Sequence, residues 1–163
     1  MFIKELTNEE FENFTEQYNI SSIYQTPEYG FVMNHQNNTS LFLGLSDGTN
    51  ILAASLILIE KIKGFKYAYA PRGFLIDYNN LSLLENFTKE IKKYLGKKSI
   101  VAIKISPLII KSIYDKKYNI LATNQYFDNI MNHLKDLGYY HFGFNQFFEA
   151  MKPRYEAVID RNI

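Results

Sequence analysis

The chain has 163 residues, 47% apolar and 21% charged, which fits one packed domain and excludes a disordered or collagen-like polymer. It has no Cys, which excludes disulfides, thiol catalysis, iron–sulfur clusters and Cys-ligated zinc, and no run approaches the roughly 18–20 apolar residues that span a bilayer. Net charge is +1 but unevenly spread: residues 1–50 carry −6, whereas Glu60–Lys117 holds 13 bases against 5 acids, a block that attracts anionic ligands, RNA or acidic membrane surfaces. The first residues lack the basic start and apolar stretch of a signal peptide, which predicts a cytoplasmic protein.

Phe2–Leu6 reads as a first strand. Thr7 and Glu10 form the capping-box pattern, and Phe11, Phe14 and Tyr18 continue it as a helical stripe from about Asn8 to Tyr18. Thr26 and Pro27 open a second helix, which stops in the Asn- and Gln-rich His35–Asn38. Leu41, Leu43 and Leu45 alternate as a strand. Asp47-Gly48 turns it into the nearly continuous apolar strand Ile51–Glu60, and Lys63-Gly64 turns that into Phe65–Ala70, an antiparallel meander. Pro71-Arg72-Gly73 breaks the pattern. Asn80 caps a helix with the stripe Leu84, Phe87, Ile91 and Leu95, ended by Gly96. Ser99–Ile105 is a buried strand, suited to a parallel or central position after a helical crossover, and Pro107 stops it. Residues 108–123 carry no clear period. Asn124 opens a last helix, with Phe127, Ile130, Met131, Leu134 and Leu137 as its stripe and Gly138 as its stop. Tyr140–Phe148 and Arg154–Asp160 read as closing strands. The order predicts one α+β domain over residues 1–163: a mixed, mostly antiparallel sheet of about seven strands with helices on both faces.

This order resembles the acetyltransferase-type (GNAT) architecture. That fold grips a pyrophosphate with backbone N–H groups on a glycine-rich turn after the strand ending here at Ala70. Ala70-Pro71-Arg72-Gly73-Phe74-Leu75-Ile76-Asp77 has one Gly, an apolar middle and a late helix, so no acetyl-CoA cradle and no cofactor are expected. His35, His133 and His141 lack metal-ligand spacing, and no Walker, Rossmann or nucleophile-elbow motif occurs.

Four stretches carry a more specific resemblance. Tyr24-Gln25-Thr26-Pro27-Glu28-Tyr29-Gly30 resembles the Gln-x-x-x-aromatic-Gly segment of the Fem family, the aminoacyl-tRNA-dependent peptidyltransferases of bacterial peptidoglycan. Tyr69–Tyr78 resembles its Y-x-P-R-G-P-V-x-D-Y segment, Ile103–Pro107 its basic-apolar-Asp-Pro strand end, and Lys152–Asp160 its Q-P-R-x-x-x-x-L-D closing strand. The resemblance implies two GNAT-like domains, of which this chain is the first. It also implies transfer of aminoacyl groups from tRNA to a UDP-linked or lipid-linked muropeptide. The aminoacyl-tRNA would be held by the second domain, and the inner membrane face is an implied peripheral contact.

Five residues are candidate substrate contacts, each beside a plainer reading. Arg72 is either an exposed residue of a strand-ending turn or a fixed guanidinium holding an anionic group of the precursor. Asp77 caps the next helix or bonds a substrate amide. Tyr29 forms a cap-and-core pair with Gln25 or touches substrate. Lys104 faces solvent or the cleft at the strand's carboxyl end. Ser106 replaces the family's proposed proton acceptor, Asp, and a hydroxyl with its ordinary pKa is no general base by itself. Phe31 stands where family members can carry a Lys for precursor phosphates, and Phe74 replaces the family Pro. No catalytic residue is assigned. Two rivals remain: a non-catalytic GNAT-fold module using the basic block on RNA or an acidic membrane, and a CoA-dependent acetyltransferase.

Overall fold

The computed structural model describes residues 1–18, 22–36 and 38–143. Its elements are β1 (Phe2–Glu5), α1 (Asn8–Glu16), α2 (Pro27–Asn34), β2 (Thr39–Ser46), β3 (Ile51–Ile62), β4 (Phe65–Ala70), α3 (Leu81–Lys97), β5 (Ile100–Ile105), β6 (Ser112–Tyr114), β7 (Ile120–Thr123) and α4 (Phe127–Asp136). Local chemistry explains most of these bounds. Thr7 Oγ1 accepts from the Glu10 amide at 3.1 Å while Glu10 Oε2 accepts from the Thr7 amide at 3.0 Å, the reciprocal capping box. Thr26 caps α2 by accepting from the Tyr29 amide, with Pro27 at the first helical position. At the β2–β3 turn, Asp47 Oδ1 accepts from the amides of Thr49 and Asn50. At the β3–β4 turn, Lys63 and Gly64 both take positive φ.

The main sheet is mixed and mostly antiparallel, in the order β1-β2-β3-β4-β5, with only the β4–β5 pair parallel. β3 is central and alternates between two cores. Ala53 and Ile57 face α3 and α4, where they meet Leu84, Phe87, Ile91 and Ile130. Ala54, Leu56 and Leu58 face the other way, toward Phe11 of α1 and Met33 of α2. Helices therefore cover both faces, and a strand apolar on both sides is the one the sequence makes nearly continuous.

Four details differ from the sequence reading. Among the described residues the main sheet has five strands, and β6 and β7 form a separate two-stranded sheet in the stretch that showed no period. Of the expected closing strands, Tyr140–Gly143 carries no strand, and 144–163, including Arg154–Asp160, lies outside the described residues. β5 is parallel as expected but not buried: only its first residue, Ile100, is, because no described element covers the face bearing Ala102 and Lys104. Gly96 does not end α3. The helix runs through it to Lys97, and Ser99 takes the left-handed turn at φ +60°.

Candidate functional site at the open end of the parallel pair

β4 and β5 pair from Lys66 opposite Ile100 to Ala70 opposite Ile105, with one shift of register after Lys66, so their carboxyl ends open at one edge of the sheet. Ligands of α/β sheets bind outside such ends. The chain leaves β4 through Pro71-Arg72-Gly73 and β5 through Ser106-Pro107. Arg72 and Gly73 take φ of +61° and +75°, a conformation that glycine adopts freely and arginine does not. A Cβ on Gly73 would lie 2.5 Å from Pro107 Cα and 2.7 Å from the Tyr78 hydroxyl, so only glycine lets the two exits close on each other.

Ser106 ties the exits together. Its Oγ accepts from the Arg72 amide at 3.1 Å and lies 3.1 Å from the Tyr69 hydroxyl, while its own amide donates to the Ala70 carbonyl at 3.3 Å. Gln25, with no exposed surface, holds the turn from below. Its Nε2 donates to the carbonyls of Pro71 at 2.6 Å and Leu56 at 3.3 Å, and its Oε1 accepts from the Leu56 amide at 2.7 Å. β3 pairs with β4 from Leu58↔Tyr69 outward and meets the chain again at Ala54↔Leu75. Gln25 thus fills the gap where the turn leaves the ladder. Sequence reasoning placed Gln25 as a cap-and-core partner and missed this clip; its position in a Gln-x-x-x-aromatic-Gly segment was the available signal. The Gly of that segment, Gly30, rests where a Cβ would be 2.9 Å from the Phe42 ring, so it lets α2 lie close on β2.

Aromatic rings gather around these exits. Tyr24 and Tyr29 meet edge to face at 5.1 Å, the Arg72 guanidinium lies 5.9 Å from the Tyr24 ring, and Lys104 Nζ lies 5.4 Å from the Tyr69 ring. Burial, with Tyr69 and Tyr24 close by, pushes the Tyr29 hydroxyl above its ordinary pKa, so it stays a neutral hydrogen-bonding group. The structure therefore brings Tyr29, Arg72, Lys104 and Ser106 together around Tyr69 and Tyr24.

Asp77 stands apart from that cluster. Its Oδ1 accepts from the Asn79 amide at 2.9 Å and from Asn79 Nδ2 at 3.1 Å, which makes a turn ahead of α3, and the cap itself is Asn80 accepting from the Leu83 amide. Asp77 and Arg72 both line a cavity of about 610 Å³, walled further by Tyr18, Ile109 and Ile113, a volume typical of small-molecule sites. Burial and the Asp77 charge push Tyr18 up to about 12. Arg72 is the residue shared by the cavity and the aromatic cluster.

The turn itself is not an anion cradle. The amides of Arg72, Gly73, Phe74 and Leu75 donate respectively to Ser106 Oγ, the Ala70 carbonyl, the Tyr78 hydroxyl and the Ala54 carbonyl. A pyrophosphate would have to displace these bonds. Charged side chains, not backbone N–H groups, carry whatever anion recognition the site has.

The chain belongs to the FemAB family, whose model matches residues 6–163. It is similar to Aminoacyltransferase FemB of Staphylococcus epidermidis, 32% identical over an alignment 163 residues long that covers 98% of this chain and 39% of FemB. It is also similar to Aminoacyltransferase FemA of Staphylococcus epidermidis, 30% identical over 158 residues covering 95% of this chain and 38% of FemA. In fold it resembles the crystal structure of FemX, with a TM-score of 0.70 at 19% identity, covering 91% of this chain and 34% of that one. The chain spans about two fifths of the length of the curated relatives it matches.

Proposed function

We propose that this chain is the precursor-binding part of an aminoacyltransferase that adds amino acids from aminoacyl-tRNA to a peptidoglycan precursor peptide. The observation that carries the reading is the 32% identity to Aminoacyltransferase FemB across 98% of the chain. The domain is read as GNAT-like, with a sheet of about seven strands, and as the first of two. A UDP-linked or lipid-linked muropeptide is its ligand, aminoacyl-tRNA is held by the other part of the protein, and the complex works in the cytoplasm against the inner membrane face.

An aminoacyl ester is already activated. Its carbonyl carbon forms a bond to the precursor amine nitrogen, the bond to the ribose oxygen breaks, and the proton the amine gives up ends on that oxygen as a hydroxyl. Proximity and charge placement are what the protein adds. Arg72 meets an anionic group of the precursor at the cavity mouth, Lys104 supplies a second cation beside Tyr69, Tyr29 offers a neutral hydroxyl and ring face, and Asp77 accepts from a peptide amide. Ser106, bonded to the Arg72 amide, positions that arginine and does not take the proton.

Titrating isotopically labelled protein with a UDP-linked muropeptide tests this. Resonances of Tyr29, Arg72, Lys104 and Ser106 are expected to shift together, and Arg72→Ala to weaken binding by roughly 10- to 100-fold, the loss of a charge-assisted hydrogen bond. Unchanged spectra at millimolar ligand would remove the binding role from this part of the protein.

A further inference from the structure

Along one rim of the cavity, a dense run of exposed apolar side chains lies on the β6–β7 hairpin. Ile113, Tyr114, Tyr118, Ile120 and Leu121, within nine residues, are between 44% and 87% exposed. A two-stranded ribbon alone is marginal in water, and among the described residues every strand position of this one except Ser112 is exposed. An apolar surface of this kind is usually a contact surface.

The charge of the hairpin indicates the partner. It carries Lys111, Lys116 and Lys117 against one acid, Asp115. That carboxylate is committed to the turn: Oδ1 accepts from the amides of Lys117 and Asn119, and Oδ2 from Asn119 Nδ2, each at 2.8 Å. The same bonds hold Tyr118 at φ +63°, 87% exposed, beside two outward lysines. Aliphatic groups flanked by lysines and a tip tyrosine match an anionic bilayer. Ile and Leu enter the acyl boundary, Tyr sits at headgroup depth, and Lys meets the acidic headgroups. Single-stranded RNA would use the lysines and the tyrosines but has no use for Ile113, Ile120 and Leu121, which neither stack on bases nor hydrogen-bond. A second copy would set the lysines against their own like. The hairpin also forms one rim of the 610 Å³ cavity, through Ile113 and Ala122.

We propose that the β6–β7 hairpin docks the protein on an anionic lipid surface, through Tyr118, Ile120 and Leu121 with Lys116 and Lys117, and so holds the cavity beside the membrane. The inference rests on the membrane-face part of the proposed function and not on acyl transfer, so vesicle binding and muropeptide binding can fail separately.

The chain has no Trp, so Tyr118→Trp in the full chain introduces a single indole at the tip, excited apart from the tyrosines, and Ile120→Trp gives a second position should the first perturb folding. Phosphatidylglycerol-rich vesicles are expected to shift its emission to the blue and shield it from iodide, and salt to reverse this. Phosphatidylcholine vesicles are expected to act far more weakly. Replacing both Lys116 and Lys117 by Gln lowers the partition coefficient by about 30-fold, and Leu121→Asp abolishes the shift with the melting temperature unchanged. The proposal is overturned by an absent blue shift on anionic vesicles. It is equally overturned by an indole already shielded in buffer, which would mean that protein covers the hairpin, or by a single-stranded RNA that binds where vesicles do not.

Discussion

A glutamine with no surface in water must satisfy its amide inside the protein, and Gln25 satisfies it entirely on backbone. Replacing it by Leu keeps the volume but strands the Leu56 amide and the Pro71 carbonyl. At 1–3 kcal/mol for each buried unsatisfied group, Gln25→Leu is expected to cost about 3 kcal/mol and to lower the melting temperature by roughly 10 °C, read by calorimetry. A loss below about 0.5 kcal/mol would mean that the clip is incidental. Positions of this kind are half-legible in a sequence. The motif around Gln25 and the strand-end places of Arg72, Lys104 and Ser106 were readable, because a strand and its stop are local events. What Gln25 and Ser106 bond to was not, since their partners lie 31 to 46 and 34 to 37 residues away. Asp77 shows the converse: the sequence left it between a cap and a contact, and Asn80, three residues on, takes the cap.

At the scale of elements, the starts of α1, α2, α3 and the β2–β3 hairpin were legible because Thr7, Thr26, Asp47 and Asn80 bond within three residues of themselves. By contrast, α4 starts at Phe127 behind Tyr126, which makes no side-chain cap, and not at the expected Asn124. The end of α3 was not, because glycine was read as a stop by habit of sequence. Ser99 makes that stop, with Lys98 and Ser99 amides donating back to Leu95 and Gly96 carbonyls. Gly96 is left as an interior helical residue whose added Cβ would meet open space. Gly96→Ala is therefore expected to stabilise the protein by about 0.5–1 kcal/mol, seen as a higher urea midpoint at unchanged m. A destabilised variant would show that α3 needs the freedom of glycine there. β5 was misjudged for a related reason: apolar, β-branched residues announce a strand but not which neighbours cover it.

At the scale of the molecule, the first strand is tied to the crossover helix by one small network. Glu5 at the end of β1 accepts from the Tyr94 hydroxyl and pairs with Lys98 at 2.9 Å, both from the carboxyl end of α3. These bonds hold the Glu5 carboxyl below its usual 4.5. A carboxylate depressed by folding stabilises the folded state above its unfolded pKa, and that stabilisation is lost as pH falls through the folded value. The resistance of the parent to urea is expected to fall as pH drops below 4.5, and that of Glu5→Gln to fall less steeply; equal slopes would mean that the network is too solvated to matter. Architecture at this scale was legible in outline, with two helical faces around a central β3, because alternation along one strand reports both cores at once. The division into five strands and a separate hairpin was not, since strand pairing is decided by partners far along the chain.

The clip across the ladder gap has a kinetic side as well. An amide bound to a side chain exchanges its proton with solvent only when that side chain lets go. The Leu56 amide, in the middle of the central strand, therefore reports on the seating of the segment that starts α2, and the Arg72 amide reports on Ser106. Deuterium uptake at these two positions measures how often the mouth of the cavity loosens while the rest of the sheet stays shut.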